Sequence, residues 1–173
     1  MKKIITLILF VILSSLKIEA QTLDICYKPY GGHSMVVIKP TIENFITLLS
    51  LNETQFVSTM KRYKYFEENS SGKYRSFWNG SLDNFTYAMC VNTYSFNVIQ
   101  NEVRFMVSHD MVYPADAMTS LYRGLKPYFK TSGVGADGIP IDLFSFKKDG
   151  FVYSFYIRNT SSLFDVVVTK ETD

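Results

Sequence analysis

The sequence predicts an α+β fold: tandem α-β(3-4) units, with two or three helices packed on one face of a mainly antiparallel sheet. Three observations predict it. Two stretches carry apolar residues at helical spacing, and each has a start signal. Several further runs alternate apolar and polar residues, as half-buried strands do. Aromatic residues make up 16% of the chain, with 12 Tyr and 14 Phe against a single Trp, and such residues suit pleated, half-buried surfaces.

The N-terminus reads as a secretory signal peptide over residues 1–20. Met1-Lys2-Lys3 is a basic start, and Ile4 to Leu13 is an apolar run shorter than the roughly 20 residues that span a bilayer. Ala20 is small and suits the position before cleavage, while Ile18 departs from the usual small residue three before the cut. Leu23-Asp24-Ile25 ahead of Cys26 does not fit a lipoprotein. Residues 21–173 then make one domain of ordinary size, in two related halves of about 41–109 and 110–173.

Along that domain, Met35 to Ile38 reads as a short strand after a Tyr30-Gly31-Gly32-His33 turn. Ile42, Phe45, Ile46 and Leu49 mark a helix over Thr41 to Leu51. Asn52 reads as the N-cap of a second helix, with Gln55 completing a capping box. Phe56, Val57, Met60 and Tyr63 form its apolar face, and its end is expected near Glu68. Strands follow at Lys73 to Trp78, closed by Asn79-Gly80, and at Phe85 to Asn92. Tyr94 to Ile99 and Glu102 to Ser108 read as a hairpin around Gln100-Asn101. Pro114 opens the next helix, with Met118, Leu121, Tyr122, Leu125 and Phe129 on its apolar face, and Pro127 marks its end. Thr131 to Gly138 reads as a flexible glycine-rich loop. Three strands finish the chain: Ile139 to Lys147, Phe151 to Arg158 and Leu163 to Lys170. Lys148-Asp149-Gly150 joins the first two as a hairpin.

The two halves share a faint echo. Met60-Lys61-Arg62-Tyr63 and Leu125-Lys126-Pro127-Tyr128 end the two principal helices, and each precedes a Ser-Gly pair, Ser71-Gly72 and Ser132-Gly133. This element order resembles tandem αβ-repeat proteins such as the β-lactamase inhibitory proteins. The resemblance is one of element order across most of the domain, and fold alone does not give function.

Charge and chemistry exclude several classes. The full chain has 18 Lys+Arg and 16 Asp+Glu, and loss of Lys2, Lys3, Lys17 and Glu19 with the signal leaves 15 of each. Nucleic-acid binders carry a positive excess, so no nucleic acid is expected. Gly133-Val134-Gly135-Ala136-Asp137-Gly138 matches G-x-G-x-x-G, but a dinucleotide site needs that string between a strand and a helix. Here it follows a helix and precedes a strand. Two distant histidines, His33 and His109, make a poor metal set, so no metal and no cofactor is expected. Ser108-His109-Asp110 is a weak catalytic signal, because neighbouring strand residues face opposite ways. Five Asn-x-Ser/Thr sequons, at Asn52, Asn69, Asn79, Asn84 and Asn159, read as polar loops and turns. The Lys-, Asn-, Ile- and Tyr-rich usage fits a bacterium. Cys26 and Cys90 are expected to form a disulfide, the usual state of a cysteine pair in an exported domain, worth roughly 4 kcal/mol.

These residues lead to an expected function. The chain reads as a periplasmic or secreted, non-enzymatic domain that binds another protein, as an inhibitor or immunity protein neutralising a toxin or hydrolase would. Strand aromatics Tyr74, Trp78, Tyr87, Tyr94, Tyr153 and Tyr156 are the candidate contacts, since Tyr and Trp are enriched at interfaces. The Val134 to Asp137 loop borders them. The alternatives are a small-ligand carrier with an aromatic cavity between helices and sheet, and a hydrolase using His109.

Overall fold

A computed structural model describes residues 22–30, 33–68, 74–81, 84–92, 101–108, 112–160 and 163–173. The expected signal segment, the expected turn at Gly31-Gly32, the expected strand from Tyr94 to Ile99, and His109 lie outside these residues. The order of elements is β1 (Ile25–Tyr30), β2 (His33–Ile38), α1 (Ile42–Ser50), α2 (Glu53–Arg62), β3 (Phe66–Glu68), β4 (Tyr74–Ser81), β5 (Asn84–Asn92), β6 (Glu102–Ser108), α3 (Val112–Leu125), a 3-10 turn (Lys126–Tyr128), β7 (Phe129–Val134), β8 (Pro140–Lys148), β9 (Phe151–Asn159) and β10 (Leu163–Thr172). This is a mixed α+β fold. β1 and β2 form an antiparallel hairpin, and the other strands form one antiparallel sheet in the order β3-β4-β5-β6-β10-β9-β8-β7.

The helices form where the spacing predicts. Thr41 caps α1 by accepting from Asn44 N. Asn52 and Gln55 cap α2 reciprocally, at 3.0 Å each way. Neither helix is long enough to persist alone in water, so each depends on its buried face. Phe45 of α1 meets Phe105 of β6 and Phe155 of β9 edge-on, with centroids at 6.3 and 5.8 Å. Phe56 of α2 meets Phe77 of β4 at 5.6 Å, and Tyr122 of α3 meets Phe144 of β8 at 5.7 Å. The last turn of α1 holds no basic residue. Lys170 of β10 instead donates to Leu49 O at 3.0 Å, satisfying a carbonyl the helix leaves over.

Polar side chains fasten the N-terminal hairpin to this core. Buried Asn44 donates to the Asp24 and Lys39 carbonyls at 2.8 Å and accepts from Asp24 N at 2.9 Å. Tyr63 and Tyr65 accept from Leu23 N and Ile38 N. Buried Asn79 donates to Val36 O.

Several boundaries differ from expectation. α2 ends at Arg62 rather than near Glu68, because Lys64 adopts φ 65° and turns the chain. Phe66–Glu68 then pairs with Trp78, Phe77 and Ser76 as edge strand β3. β4 runs through Asn79-Gly80 to Ser81, with an irregularity between Asn79 and Ser81, so those residues bend the strand rather than close it. β6 has β5 on one side and β10 on the other, and its expected hairpin partner, Tyr94 to Ile99, lies outside the described residues. The helix around Pro114 starts at Val112, and Phe129 belongs to β7 instead of its apolar face. Lastly, Thr131 to Val134, read as loop, continues β7 against Leu143 to Pro140 of β8. The Asp149-Gly150 turn has positive φ at both residues, 51° and 77°, as a tight two-residue hairpin needs.

Candidate functional site

Strand register sorts the aromatic residues by face. Met89 pairs with both Phe77 and Phe105, Phe105 with Val166, and Val166 with Ile157. These positions share a face with Phe155 and Phe144, the rings that meet Phe45 and Tyr122. Successive strand residues alternate faces, so Tyr74, Trp78, Arg104, Asp165, Tyr156 and Arg158 share the opposite one.

That opposite face carries a charged network. Arg104 grips Asp165 with two hydrogen bonds, Nε to Oδ1 at 2.7 Å and Nη2 to Oδ2 at 2.6 Å. Arg158, directly opposite Asp165 in register, lies at 3.8 Å and also pairs with Asp137 in the β7–β8 turn. Asp165 is only 2% exposed although it lies on the face away from Phe155. Arg158 Nε is buried and makes no hydrogen bond among the described residues. Trp78 Nε1 donates to Glu68 at 2.7 Å. The Ile139 N–H and Arg158 hold the Asp137 carboxyl below the usual carboxylate range.

The expected contact residues divide accordingly. Tyr74 and Trp78 are half-buried, Tyr156 is exposed, and all three share the Arg104–Asp165 face. Val134 is 71% exposed and Asp137 is exposed, at the border of that face. Tyr153 is a core residue, 5% exposed and stacked on Phe146 at 5.6 Å, so it is no surface contact. Tyr87 pairs in register with Asn79 and Val107, and its side chain lies outside the described residues, as does all of Tyr94. Cys26 Sγ donates to Val37 O. Cys90 pairs in register with Ser76 and Arg104, and its side chain also lies outside the described residues.

The glycine-rich string is a strand-to-strand turn. Gly133 belongs to β7, Gly135 N donates to Ile139 O at 2.8 Å, and Gly138 N donates to Gly135 O at 2.9 Å. A Cβ on Gly135 would come within 2.7 Å of Asp137 Oδ1, and Gly138 has φ 77°. Gly138 is therefore favoured by its backbone conformation, a side chain at Gly135 would require Asp137 to shift, and the hydrogen bonds give the turn a specific geometry.

A second concavity lies between α3 and the β7–β8 edge, and no single residue in the sequence marks it. It is an open groove of about 440 Å³, lined by Thr119, Tyr122, Arg123, Lys126, Phe129, Asp142 and Phe144. Buried Phe144 is its floor. Tyr122 and Phe129 stand edge-on to that ring, both at 5.7 Å. Asp142 accepts from Ser132 Oγ at 2.6 Å and from the Tyr122 hydroxyl at 3.4 Å. Burial, together with the Asp142 charge and this hydrogen bond, pushes the Tyr122 hydroxyl up to about 12.

Tyr65 and Tyr153 are raised too, each chiefly by burial. A folded-state pKa above the unfolded one gives a contribution that is complete below the ordinary value of 10.0 and is lost as pH rises through the folded value. Stability is therefore expected to fall from about pH 10 upward. Phenolate absorbance and circular dichroism followed together through an alkaline titration check this. Full tyrosine ionisation with structure intact would contradict it.

Among the described residues, no group of three or more His, Cys, Asp or Glu could hold a metal ion, and no helix is long and apolar enough to cross a membrane. Compared with known proteins, the chain matches no family model, no curated protein and no solved structure.

Proposed function

We propose that this chain is an exported, non-enzymatic domain that binds another protein through the sheet face bearing Tyr74, Trp78 and Tyr156. One observation carries the reading: residues from opposite halves of the chain, Trp78 on β4 and Tyr156 on β9, share a face by register. Arg104 on β6 lies between them and Arg158 stands beside Tyr156 on β9, and Arg is, with Trp and Tyr, the residue most enriched at interface hot spots.

The finer architecture belongs to the same proposal. Two α-β4 units lie side by side, β3–β6 after α1 and α2, and β7–β10 after α3. The strand order, in which each unit runs from an outer edge inward and the final strands β6 and β10 meet at the centre, supports two related units. The contacts Phe45–Phe105, Phe56–Phe77 and Tyr122–Phe144 support helices on one face, which leaves the Trp78 face for a partner. Within this class, an inhibitor or immunity protein that covers the active site of a toxin or hydrolase fits best. The Cys26–Cys90 disulfide is part of the exported reading, and a thiol count on the denatured, unreduced protein tests it: two free thiols would remove it.

Affinity capture from the envelope and medium of the producing organism, using the exported chain, tests the function. Trp78→Ala and Tyr156→Ala are each expected to weaken binding of the captured protein by about 2 kcal/mol. Capture of nothing, or binding by both variants as tight as by the parent chain, sinks the proposal.

A further inference from the structure

The cleft between α3 and the β7–β8 edge is separate from the proposed protein-binding face, and its chemistry selects a ligand of its own. We infer that it is a binding site for a small aromatic anion, a planar ring system of one or two fused rings bearing a carboxylate.

The volume comes first. At about 440 Å³ the cleft falls within the range of small-molecule sites, roughly 300–1,000 Å³. Its walls are aromatic on three sides. Phe144 forms the floor, with Tyr122 and Phe129 steeply inclined to it at interplanar angles of 84° and 68°. Phe144 is buried and offers only its rim, so a flat ring lies chiefly against exposed Phe129 and half-buried Tyr122, in the stacked or edge-on arrangements that aromatic groups favour. Phe129 is 51% exposed, so a ligand covering it removes apolar surface from water.

Charge then fixes the ligand's polar end. Thr119, Tyr122, Arg123 and Lys126 are spaced along one stripe of α3 and its 3-10 extension, which aligns both cations with the aromatic slot. Among the described residues, neither Arg123 nor Lys126 has a carboxylate within ion-pair distance. On the facing strand wall, the Asp142 carboxylate of β8 is held by Ser132 and Tyr122. The site is therefore bipolar. An anion is repelled from the Asp142 wall and drawn to the Arg123–Lys126 stripe, so one orientation of the ligand is favoured. A cationic ring would have to accept the reverse field.

Isothermal titration of the full chain tests this with three matched probes: 2-naphthoate, neutral 2-naphthalenemethanol and cationic 2-naphthylmethylammonium. The naphthoate is expected to bind tightest and the ammonium weakest. Removing both cations with R123Q/K126Q is expected to weaken naphthoate about tenfold, the combined worth of two exposed ion pairs, and to leave the alcohol unchanged. Phe129→Ala weakens both probes. Every substituted position is exposed, and circular dichroism confirms that the variants fold. Naphthoate binding no tighter than the alcohol, or unaffected by R123Q/K126Q, overturns the inference, as does the absence of any heat with all three probes. Loss of protein capture through Trp78→Ala leaves these outcomes untouched, so the two sites are judged independently.

Discussion

Phe45→Ala is expected to lower the unfolding free energy by about 3–5 kcal/mol, the usual range for truncating a buried phenylalanine. Phe45 is 1% exposed and stands edge-on to both Phe105 and Phe155. β6 and β9 flank β10, so this one ring joins α1 to three adjacent central strands. Its loss removes transfer energy, leaves a cavity that rigid neighbours fill poorly, and deletes two edge-to-face pairs worth about 0.5–1.5 kcal/mol each. Urea unfolding checks this, with a lower midpoint at unchanged slope. Phe45→Leu, which keeps most of the volume, should retain the greater part of the stability. A loss under about 1 kcal/mol for Phe45→Ala would mean that the α1–sheet contact is not the centre of the core.

Asp165→Ala is expected to cost about 3 kcal/mol, for a different reason. Asp165 is buried between Arg104 and Arg158, and its removal takes the shared carboxylate from both guanidinium groups, leaving Arg158 its pair with Asp137. The penalty comes from the cations left behind more than from the bond lost. A double variant, R104M/D165L, removes the tightest pair together and should be more stable than D165A alone. Thermal unfolding of the three proteins decides the matter. Equal stability of D165A and the parent would show that the network is no more than a surface ion pair.

Position along a strand was legible in the sequence, but the absolute face was not. Tyr153 and Tyr156 are three residues apart on β9, so period-2 alternation alone puts them on opposite faces. It does not say which face is covered. Phe45 and its neighbours on α1 lie against the Phe155 side, which buries Tyr153 and leaves Tyr156 exposed. Asp165 misleads in the same way. Alternation with Phe164, Val166 and Val168 marks it as solvent-facing, yet the flanking Arg104 and Arg158 cover it. The cleft was wholly illegible, because it needs a helix stripe and an edge strand to meet, and β7 itself read as a loop.

What the sequence determined by itself is local. The capping box of Asn52 and Gln55, the 3.6-residue spacing in α1, the alternation of β8 to β10 and the Asp149-Gly150 turn each depend on neighbours within a few residues, where steric and hydrogen-bonding rules act directly. The tertiary structure decided everything that depends on distant partners. Phe66–Glu68 and Thr131–Val134 carry weak strand signals and become strands only because β4 and β8 present unpaired backbone groups beside them. The central β6–β10 seam joins residues about sixty positions apart, as in the Arg104–Asp165 pair. Its register follows from burying Phe105, Val166 and Val168 on one side, a cooperative result of packing that no local pattern encodes.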